Sequence, residues 1–212
     1  AGLSVEGPVL AEECARLTQH FNRAMEAGRP WITLKAGMTL DGRVATASGH
    51  SKWITSHEQR AAARALRGLF DGLLVGIGTV LADDPMLLPA PRTARPFFRI
   101  VLDSNLRLPL DSVLVRTAGR HPVIALCRKA DPSRRDALES RGVTVVEVLA
   151  PGRRVRLGPA LAVLREMSLS SLMVEGGPEV MGSFVRERLF DEFVVFRAPT
   201  LLGGRRSRGV IG

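Results

Sequence analysis

Residues 31–55, WITLKAGMTLDGRVATASGHSKWIT, contain the pattern of a strand, a turn and a helix start in one short run. Ile32 and Leu34 alternate with more polar positions, which is typical of a β-strand that packs one face on a core. The Asp41-Gly42 pair predicts a turn, because Gly adopts positive φ at low cost and Asp hydrogen-bonds the local backbone. The segment therefore predicts a strand that carries Lys35 into a polar loop.

A helix is predicted directly after this loop. Thr55 and Glu58 have the spacing of a capping box, with Thr55 as the N-cap and Glu58 reaching back to its backbone N–H. The helix is predicted to run from residue 56 to residue 67 and to end near Gly68. A strand, a polar loop and a helix start together favour a ligand site at the carboxyl edge of a parallel sheet.

The remaining segments alternate between helix and strand patterns. Residues 8–27 predict an amphipathic helix, with apolar side chains at three- to four-residue spacing at Leu10, Cys14, Leu17, Phe21 and Met25. Further strands are predicted at 70–77, 98–103, 123–127, 143–148, 171–175 and 193–198. Helices are predicted at 80–83 with Thr79 as N-cap, at 132–142 with Asp131 as N-cap, at 159–167 and at 178–189, and residues 105–120 are predicted to be irregular. This alternation predicts an α/β fold with a mostly parallel central sheet and helices on both faces.

The composition is that of a globular protein. The chain has 212 residues, of which 45% are hydrophobic, and this is enough for a substantial core in one domain. No apolar run approaches the length that spans a membrane, and the amino terminus lacks the basic-then-apolar order of a signal peptide. Cys14 and Cys127 are not in a C-x-x-C arrangement, so we expect both to be reduced packing residues in a cytoplasmic protein.

The chain is basic, with a formal net charge of +9 that comes mostly from arginine. The arginines form small clusters without interleaved aromatic residues, and the sequence has no Tyr, so stacking platforms for bases are scarce. We therefore expect no nucleic-acid partner. The charge is either an ordinary solvated surface or a field that attracts phosphate-bearing ligands.

Residues 172–178, LMVEGGP, predict a strand that ends in the carboxylate of Glu175, followed by Gly176-Gly177 and a helix. The free N–H groups and the positive end of the helix dipole suit a phosphate, although an ordinary strand–turn–helix has the same pattern. The spacing is not G-x-G-x-x-G, so a Rossmann site is only weakly indicated. A carboxylate at the end of an apolar strand needs a partner, so Glu175 is either satisfied by backbone N–H groups or serves a ligand.

A family resemblance rests on two motifs in the first stretch. Residues 34–45 read L-K-x-x-x-T-L-D-G-R-x-A, and residues 51–55 read S-x-W-I-T. Together they resemble the reductase domain of the bifunctional riboflavin-biosynthesis deaminase–reductase, whose fold is similar to dihydrofolate reductase, with further matches between about Pro30 and Gly204. The chain lacks the H-x-E and P-C-x-x-C motifs of a zinc deaminase. We therefore expect residues 1–29 to be a connector helix after an absent deaminase, and residues 30–212 to be a reductase domain truncated at its carboxyl end.

The resemblance implies roles for individual residues. Lys35 and Glu175 are the implied catalytic residues, although a surface lysine is equally compatible with the pattern. The implied substrate-binding residues are Ser51, Arg67, Leu87, Arg92 and Glu175, with a solvated helix position as the alternative for Arg67. The implied cofactor-binding residues are Gly37, Trp53, Thr79, Asp83, Ser104, Gly177, Pro178, Glu179, Val180, Met181, Gly182 and Ser183, with a core anchor as the alternative for Trp53.

One motif departs from the family pattern. The family reads D-D-P-x-L-T-x-R, in which the final Arg binds the substrate phosphate, whereas this chain has Leu88 in place of the Thr and Ala90 in place of the Arg. Arg92 stands two residues further on and is expected to reach the same phosphate. The departure favours, as an alternative, a related reductase with another pterin- or pyrimidine-like substrate.

The resemblance also implies the reaction. NADPH would reduce the ribosyl group of 5-amino-6-(5-phosphoribosylamino)uracil to the ribitylamino product, a reaction that requires no metal and no protein nucleophile. The expected partners are this small phosphorylated pyrimidine and a second copy of the chain in a homodimer, with no membrane. Two alternatives are a related reductase that acts on another pterin- or pyrimidine-like substrate, and a non-catalytic nucleotide-binding remnant.

Overall fold

Strands and helices alternate along nearly the whole chain. The structure is a computed structural model that describes residues 2–4, 6–48, 54–204 and 207–211. The strands are β1 Trp31–Met38, β2 Arg43–Ala45, β3 Gly72–Gly76, β4 Phe98–Leu102, β5 Val123–Cys127, β6 Val143–Glu147, β7 Ser171–Gly176, β8 Glu192–Arg197 and β9 Arg208–Gly209. The helices are α1 Ala11–Leu17, α2 Gln19–Ala27, α3 His57–Arg67, α4 Ile77–Asp83, α5 Val113–Arg116, α6 Pro132–Glu139, α7 Leu157–Glu166 and α8 Pro178–Arg186. None of the helices in these ranges is long and apolar enough to cross a membrane.

Seven strands form one sheet in the order β6-β5-β4-β3-β7-β1-β8, and each neighbouring pair is parallel. Successive side chains point to opposite faces of the sheet. Leu73 and Val101 accordingly belong to one buried cluster, and Leu74 and Ile100 belong to the other. The predicted α/β class, a mostly parallel sheet with helices on both faces, is confirmed.

The topology brings three functional segments to one edge of this sheet. β1, β7 and β3 are neighbours, and the carboxyl ends of parallel strands lie at the same edge. β1 was expected to end at Lys35 but continues to Met38, because residues 35–38 pair with Val194–Arg197 of β8. Lys35 is therefore held inside the ladder instead of in the following loop.

The amino-terminal helix differs from its prediction. It is divided at Thr18, which has a non-helical φ of −105° and whose Oγ1 donates a 2.8 Å hydrogen bond to the Cys14 carbonyl. The predicted apolar face is largely exposed, including Leu17 at 88%. Cys14 is exposed and Cys127 is buried, so the prediction of a packing role is wrong for Cys14 and confirmed for Cys127.

Two predicted helix caps are one to three residues away from the observed ones. The capping box of α3 is formed by Ser56 and Gln59, not by Thr55 and Glu58. Both pairs fit the sequence pattern, and the backbone turns into the helix only after Ser56, which has extended geometry. Helix α4 begins directly after Gly76 without a side-chain cap, so Thr79 lies inside the helix.

The segment 105–120 is not wholly irregular. It contains the short helix α5, whose N-cap Ser112 accepts a hydrogen bond from the Val115 backbone N–H. Arg99 of β4 lies beneath it, fully buried, and donates to the Leu114 and His121 carbonyls and to Thr117 Oγ1. Burial lowers the pKa of Arg99 to about 10. The hydrogen bonds of Arg99 thus hold α5 against the amino end of the sheet.

The carboxyl-terminal segment returns to the first loop. β9 pairs antiparallel with β2, and Asp41 accepts hydrogen bonds from the backbone N–H groups of Leu202 (3.2 Å) and Gly203 (2.8 Å). The hydrogen bond from Thr39 Oγ1, together with these N–H groups, lowers the pKa of Asp41 to about 2. Asp41 is thus a turn residue, as predicted, and also the anchor of the 201–204 segment.

The segment before residue 30 is attached to the sheet at Asp191. Arg29 makes two hydrogen bonds with this carboxylate, of 2.6 and 2.9 Å, and Arg23 makes a third of 3.1 Å. The Ile32 backbone N–H also donates to Asp191 at 2.9 Å. These contacts fix α2 against the amino end of β1, where His20 lies against the Trp31 ring at 4.9 Å.

Candidate active site

Glu175 lies at the carboxyl end of β7, between two cationic side chains. Arg67, the last residue of α3, donates Nε to Oε1 and Nη2 to Oε2, both at 2.8 Å. Its Nη1 donates to the Leu88 carbonyl at 2.9 Å. Lys35 Nζ lies 3.9 Å from Glu175 Oε2 and 5.7 Å from the centre of the Phe196 ring. The three ionised side chains are 11–16% exposed and carry a net charge of +1.

The arginine keeps the glutamate ionised. Burial by itself would raise the pKa of Glu175, but the hydrogen bonds and charge of Arg67 and the charge of Lys35 outweigh it, and the pKa is lowered. The carboxylate is therefore an acceptor at neutral pH. Its position suits a ligand that presents N–H or O–H groups at this edge of the sheet.

The Gly176-Gly177 turn leaves the start of α8 open. Gly176 has a φ of +115°, which favours glycine, and Gly177 is the N-cap of α8 without a side-chain cap. A Cβ on Gly177 would lie 3.7 Å from Thr79 Oγ1 of α4. The helix N-terminus, the small Gly177 and the Thr79 hydroxyl together fit a phosphate-bearing ligand.

Gly37 marks a close approach at the end of β1. A Cβ at this position would lie 2.9 Å from Thr55 Cγ2, closer than side-chain carbons normally come. The two residues bring the entrance of α3 against β1, and Gln59 Nε2 donates to the Arg197 carbonyl at 3.0 Å. The amino end of α3 therefore lies at the same edge as Lys35.

A cavity of about 120 Å³ lies beside Lys35, Gly37 and Glu175. It is lined by Lys35, Glu175 and the 176–178 turn, and also by Val44 and Val210. The two valines were not predicted. Val44 follows the Asp41-Gly42 turn, but nothing local in the sequence indicates that the 208–210 segment folds back onto this loop.

The predicted cofactor residues of α8 divide into two sets. Pro178, Glu179 and Val180 form the first turn and are partly or fully exposed, whereas Met181 and Gly182 are buried. Ser183 donates its hydroxyl to the Glu179 carbonyl at 2.8 Å. Only the first turn of the predicted 177–183 segment therefore presents an open backbone, while Met181 reaches the cavity wall.

Ser104 follows β4 and is hydrogen-bonded to the basic loop that contains Arg153, Arg154 and Val155. Its Oγ accepts a 3.0 Å hydrogen bond from the Val155 backbone N–H, and its carbonyl accepts one from Arg128 N at 3.2 Å. Both arginines of the loop are exposed. Arg154 Nη1 lies 3.0 Å from Glu179 Oε2, so the loop extends to the first turn of α8.

The remaining predicted residues are less closely grouped. Leu87 is buried with a φ of +56°, and Asp83 is exposed at the end of α4. Arg92 is exposed. The pKa of His121, which lies just before β5, is lowered by burial first and then by the charges of Arg99 and Arg92. Ser51 and Trp53 lie outside the described residues.

A larger depression of about 310 Å³ lies elsewhere, beside α2 and the amino ends of the strands. It is lined in part by His20, Asp71 and Arg95. Asp71 Oδ2 already accepts hydrogen bonds from the backbone N–H groups of Ser170 and Ser171, so its carboxylate has a structural role. Burial lowers the pKa of His20. Within the described ranges, no three His, Cys, Asp or Glu side chains are grouped to hold a metal ion.

The fold and the site define an α/β protein whose ligand site lies at the carboxyl edge of a parallel sheet. Residues 30–212 match the family described as the RibD C-terminal domain. The chain is 39% identical to the riboflavin biosynthesis protein RibD of Aquifex aeolicus, covering all of this chain and 58% of that protein. It is also 39% identical to the 2,5-diamino-6-ribosylamino-4(3H)-pyrimidinone 5′-phosphate reductase of Methanothermobacter thermautotrophicus, covering 86% of this chain and 84% of that protein.

Among solved structures, Acinetobacter baumannii RibD matches with a TM-score of 0.80 and 28% identity, covering 100% of this chain and 57% of that one. The chain belongs to the RibD C-terminal domain family, and the family resemblance of its motifs is confirmed. It spans little more than half the length of the RibD relatives that it matches.

Proposed function

We propose that the chain is an NADPH-dependent reductase that converts the ribosylamino group of 5-amino-6-(5-phosphoribosylamino)uracil to the ribitylamino group. The observation that carries this proposal is the buried Lys35–Glu175–Arg67 group beside the open first turn of α8. Membership of the RibD C-terminal domain family and the printed name of the Methanothermobacter relative support a reductase of the riboflavin pathway.

When bound, NADPH would supply the hydride that reduces C1′ of the ring-opened sugar. Glu175, held ionised by Arg67, would accept hydrogen bonds from N–H or O–H groups of the substrate. Lys35 Nζ would donate hydrogen bonds to the sugar or to the nitrogen that gains a proton. The chain's own residues would thus orient the substrate and exclude water, and the reduction itself would depend on the cofactor.

The preference for NADPH over NADH is part of this proposal, and the basic loop supports it. Ser104 Oγ serves the loop as an acceptor, so its proton can be donated to a phosphate oxygen. Arg153, without an ion-pair partner among the described residues, stands in the same loop. Arg154 offsets the charge of Glu179 at the helix N-terminus. The loop therefore offers a cationic site for the additional 2′-phosphate of NADPH.

A second substrate is favoured by one comparison. The Methanothermobacter relative, of which the chain covers 84%, is named for a diaminopyrimidinone that still carries its 2-amino group. Both compounds carry the ribosyl 5′-phosphate, and they differ in the ring. The chain would then act before deamination instead of after it.

A cytoplasmic location and a homodimer also remain proposals. The support for both is the family resemblance, together with the buried, reduced Cys127 for the location. Sedimentation of the purified chain would measure the oligomeric state.

The test is initial-rate NADPH oxidation, followed at the nicotinamide absorbance with each of the two pyrimidines. The proposal predicts oxidation that depends on the uracil compound and stops in Glu175→Gln. Oxidation with the diaminopyrimidinone alone would favour the second substrate. No oxidation with either compound, in a chain that is folded by circular dichroism, would contradict the proposed function.

A further inference from the structure

Three arginines lie on one face of α3, at positions 60, 64 and 67. Residues four and three positions apart in a helix are neighbours on its surface. Arg67 is engaged by Glu175 and the Leu88 carbonyl, and Arg60 donates to the Thr55 carbonyl. Arg64 between them is partly buried, and among the described residues it has no ion-pair or side-chain hydrogen-bond partner. A half-buried arginine without an anion is a candidate to receive one from a ligand.

The loop next to Arg64, residues 88–90, has no charged side chain. The Ala90 backbone N–H donates to the Arg64 carbonyl at 3.1 Å, and Arg67 holds the Leu88 carbonyl, so residues 88–90 run along the last turns of α3. Their side chains are Leu, Pro and Ala, and Ala90 is small and exposed. Residues 88–90 therefore supply no positive charge, and Arg64 of α3 is the cation next to them. The small side chain of Ala90 leaves space beside Arg64 for a ligand.

The direction of α3 places Arg64 between two contacts of the helix with the sheet edge. Its amino end touches the carboxyl ends of β1 and β8 through Thr55 and Gln59, and its last residue is Arg67. Arg64 is three residues nearer to that edge, about 4.5 Å along the helix axis at 1.5 Å per residue. Along the helix it therefore lies between the contacts of the α3 amino end with that edge and the Arg67–Glu175 pair.

The other cations near the site have different surroundings from Arg64. Lys35 and Arg67 both face Glu175, which compensates one of their two charges. Arg92, which follows the same loop, is close to His121 before β5. We propose that Arg64 binds the terminal phosphate monoester of the pyrimidine ribonucleotide substrate, beside Ala90. This inference rests on the proposed function, since it assumes a phosphorylated substrate.

The first experiment compares Arg64→Ala with the wild type on the phosphorylated substrate and on its dephosphorylated form. Loss of a charged hydrogen bond predicts a KM increase of roughly 10- to 100-fold for the phosphorylated substrate, with little change in kcat. The dephosphorylated substrate should show the same KM in both proteins. Arg141→Ala, an exposed arginine before β6, is the matched control and should behave as wild type.

Two further variants test the location. The double variant Arg64→Ala with Ala90→Arg places an arginine on the loop residue that contacts the Arg64 backbone. This variant should restore most of the affinity for the phosphate. A KM that is unchanged in Arg64→Ala, or that rises in Arg92→Ala instead, would overturn the inference while leaving the proposed function intact.

A binding measurement separates this inference from failure of the proposed reaction. D-ribose 5-phosphate and D-ribose are titrated into the wild-type chain and Arg64→Ala, and chemical shifts are followed by NMR. Binding of the phosphate ester that is lost in Arg64→Ala would support the site even without turnover. Equal binding in both proteins, or no preference for the phosphate ester in the wild type, would overturn it.

Discussion

Arg67 and Glu175 are 108 positions apart in the chain and are joined by two parallel hydrogen bonds of 2.8 Å. The pair connects the end of α3 to the end of β7, and the third donor of the same guanidinium holds the Leu88 carbonyl. One side chain therefore fixes the glutamate and the neighbouring loop together. This contact makes Arg67 a positioning residue in our account, with Glu175 as the group that meets the substrate.

Arg67→Ala should lower the free energy of unfolding by about 3 kcal/mol, because it leaves a buried carboxylate without its main partner. Urea denaturation at neutral pH measures the change. The double variant Arg67→Ala with Glu175→Gln removes the charge as well and should recover part of the loss. Equal stability of the single variant and the wild type would contradict a structural ion pair.

Stability should fall in acid, and Glu175 should contribute to the fall. Its pKa in the folded chain lies below the ordinary value of 4.5, so folding favours the ionised form. The contribution is fully present above about pH 4.5 and is lost as the pH falls through the lowered pKa. Urea midpoints between pH 7 and pH 3 should decrease less steeply in Glu175→Gln than in the wild type. Parallel curves for the two proteins would refute this assignment.

Gly37→Ala should destabilise the chain by about 2 kcal/mol, since its Cβ would lie 2.9 Å from Thr55 Cγ2. Thr55→Ser removes that methyl group, and the next contact, with Oγ1 at 3.8 Å, is an ordinary one. Thermal unfolding of both single variants and the double variant measures the coupling. The account predicts that Gly37→Ala costs much less in the Thr55→Ser background, and additive effects would contradict it.

Asp191→Asn should loosen α2 from the sheet. Asp191 is 5% exposed and is the common acceptor of Arg23, Arg29 and the Ile32 backbone N–H. Loss of its charge leaves the largely buried Arg29 unpaired, which should cost about 3 kcal/mol. Faster hydrogen exchange confined to residues 19–32 is the expected result. Glu12→Gln, which affects an exposed pair in α1, is the control and should leave exchange unchanged.

Arg153→Ala should weaken NADPH binding about tenfold and leave NADH binding unchanged, because only NADPH carries the 2′-phosphate. Nicotinamide fluorescence measures both affinities. Arg141→Ala is again the control. An equal loss of affinity for both cofactors would mean that the loop acts on the shared part of the dinucleotide.

Local patterns in the sequence predicted the order of the main elements well. The 172–178 turn was predictable because a strand, two glycines and a proline at the first helical position are adjacent in sequence. The cap of α3 was misplaced by one residue because two overlapping patterns, at 55–58 and 56–59, satisfy the same rule. Residues 36–38 were assigned to a loop because their pairing with β8 is not visible locally.

Contacts between distant segments were not predictable from one sequence. Asp41 binds Gly203 across 162 positions, and Val44 and Val210 line the same cavity only because β2 pairs with β9. Arg99 is an arginine at 0% exposure, whereas composition alone places arginine on the surface. The same limit explains why the pairing of Arg67, an expected substrate-binding residue, with Glu175 was not predicted.

The most direct test of the proposed reaction is deuterium transfer from NADPH labelled at C4 of the nicotinamide. The chain is incubated with both stereospecifically labelled forms and with 5-amino-6-(5-phosphoribosylamino)uracil, and the product is analysed by mass spectrometry and NMR. We predict one deuterium at C1′ of the ribitylamino product from one of the two forms, and none in Glu175→Gln. Absence of the labelled product from both forms, in a wild-type chain that binds NADPH, would contradict the account.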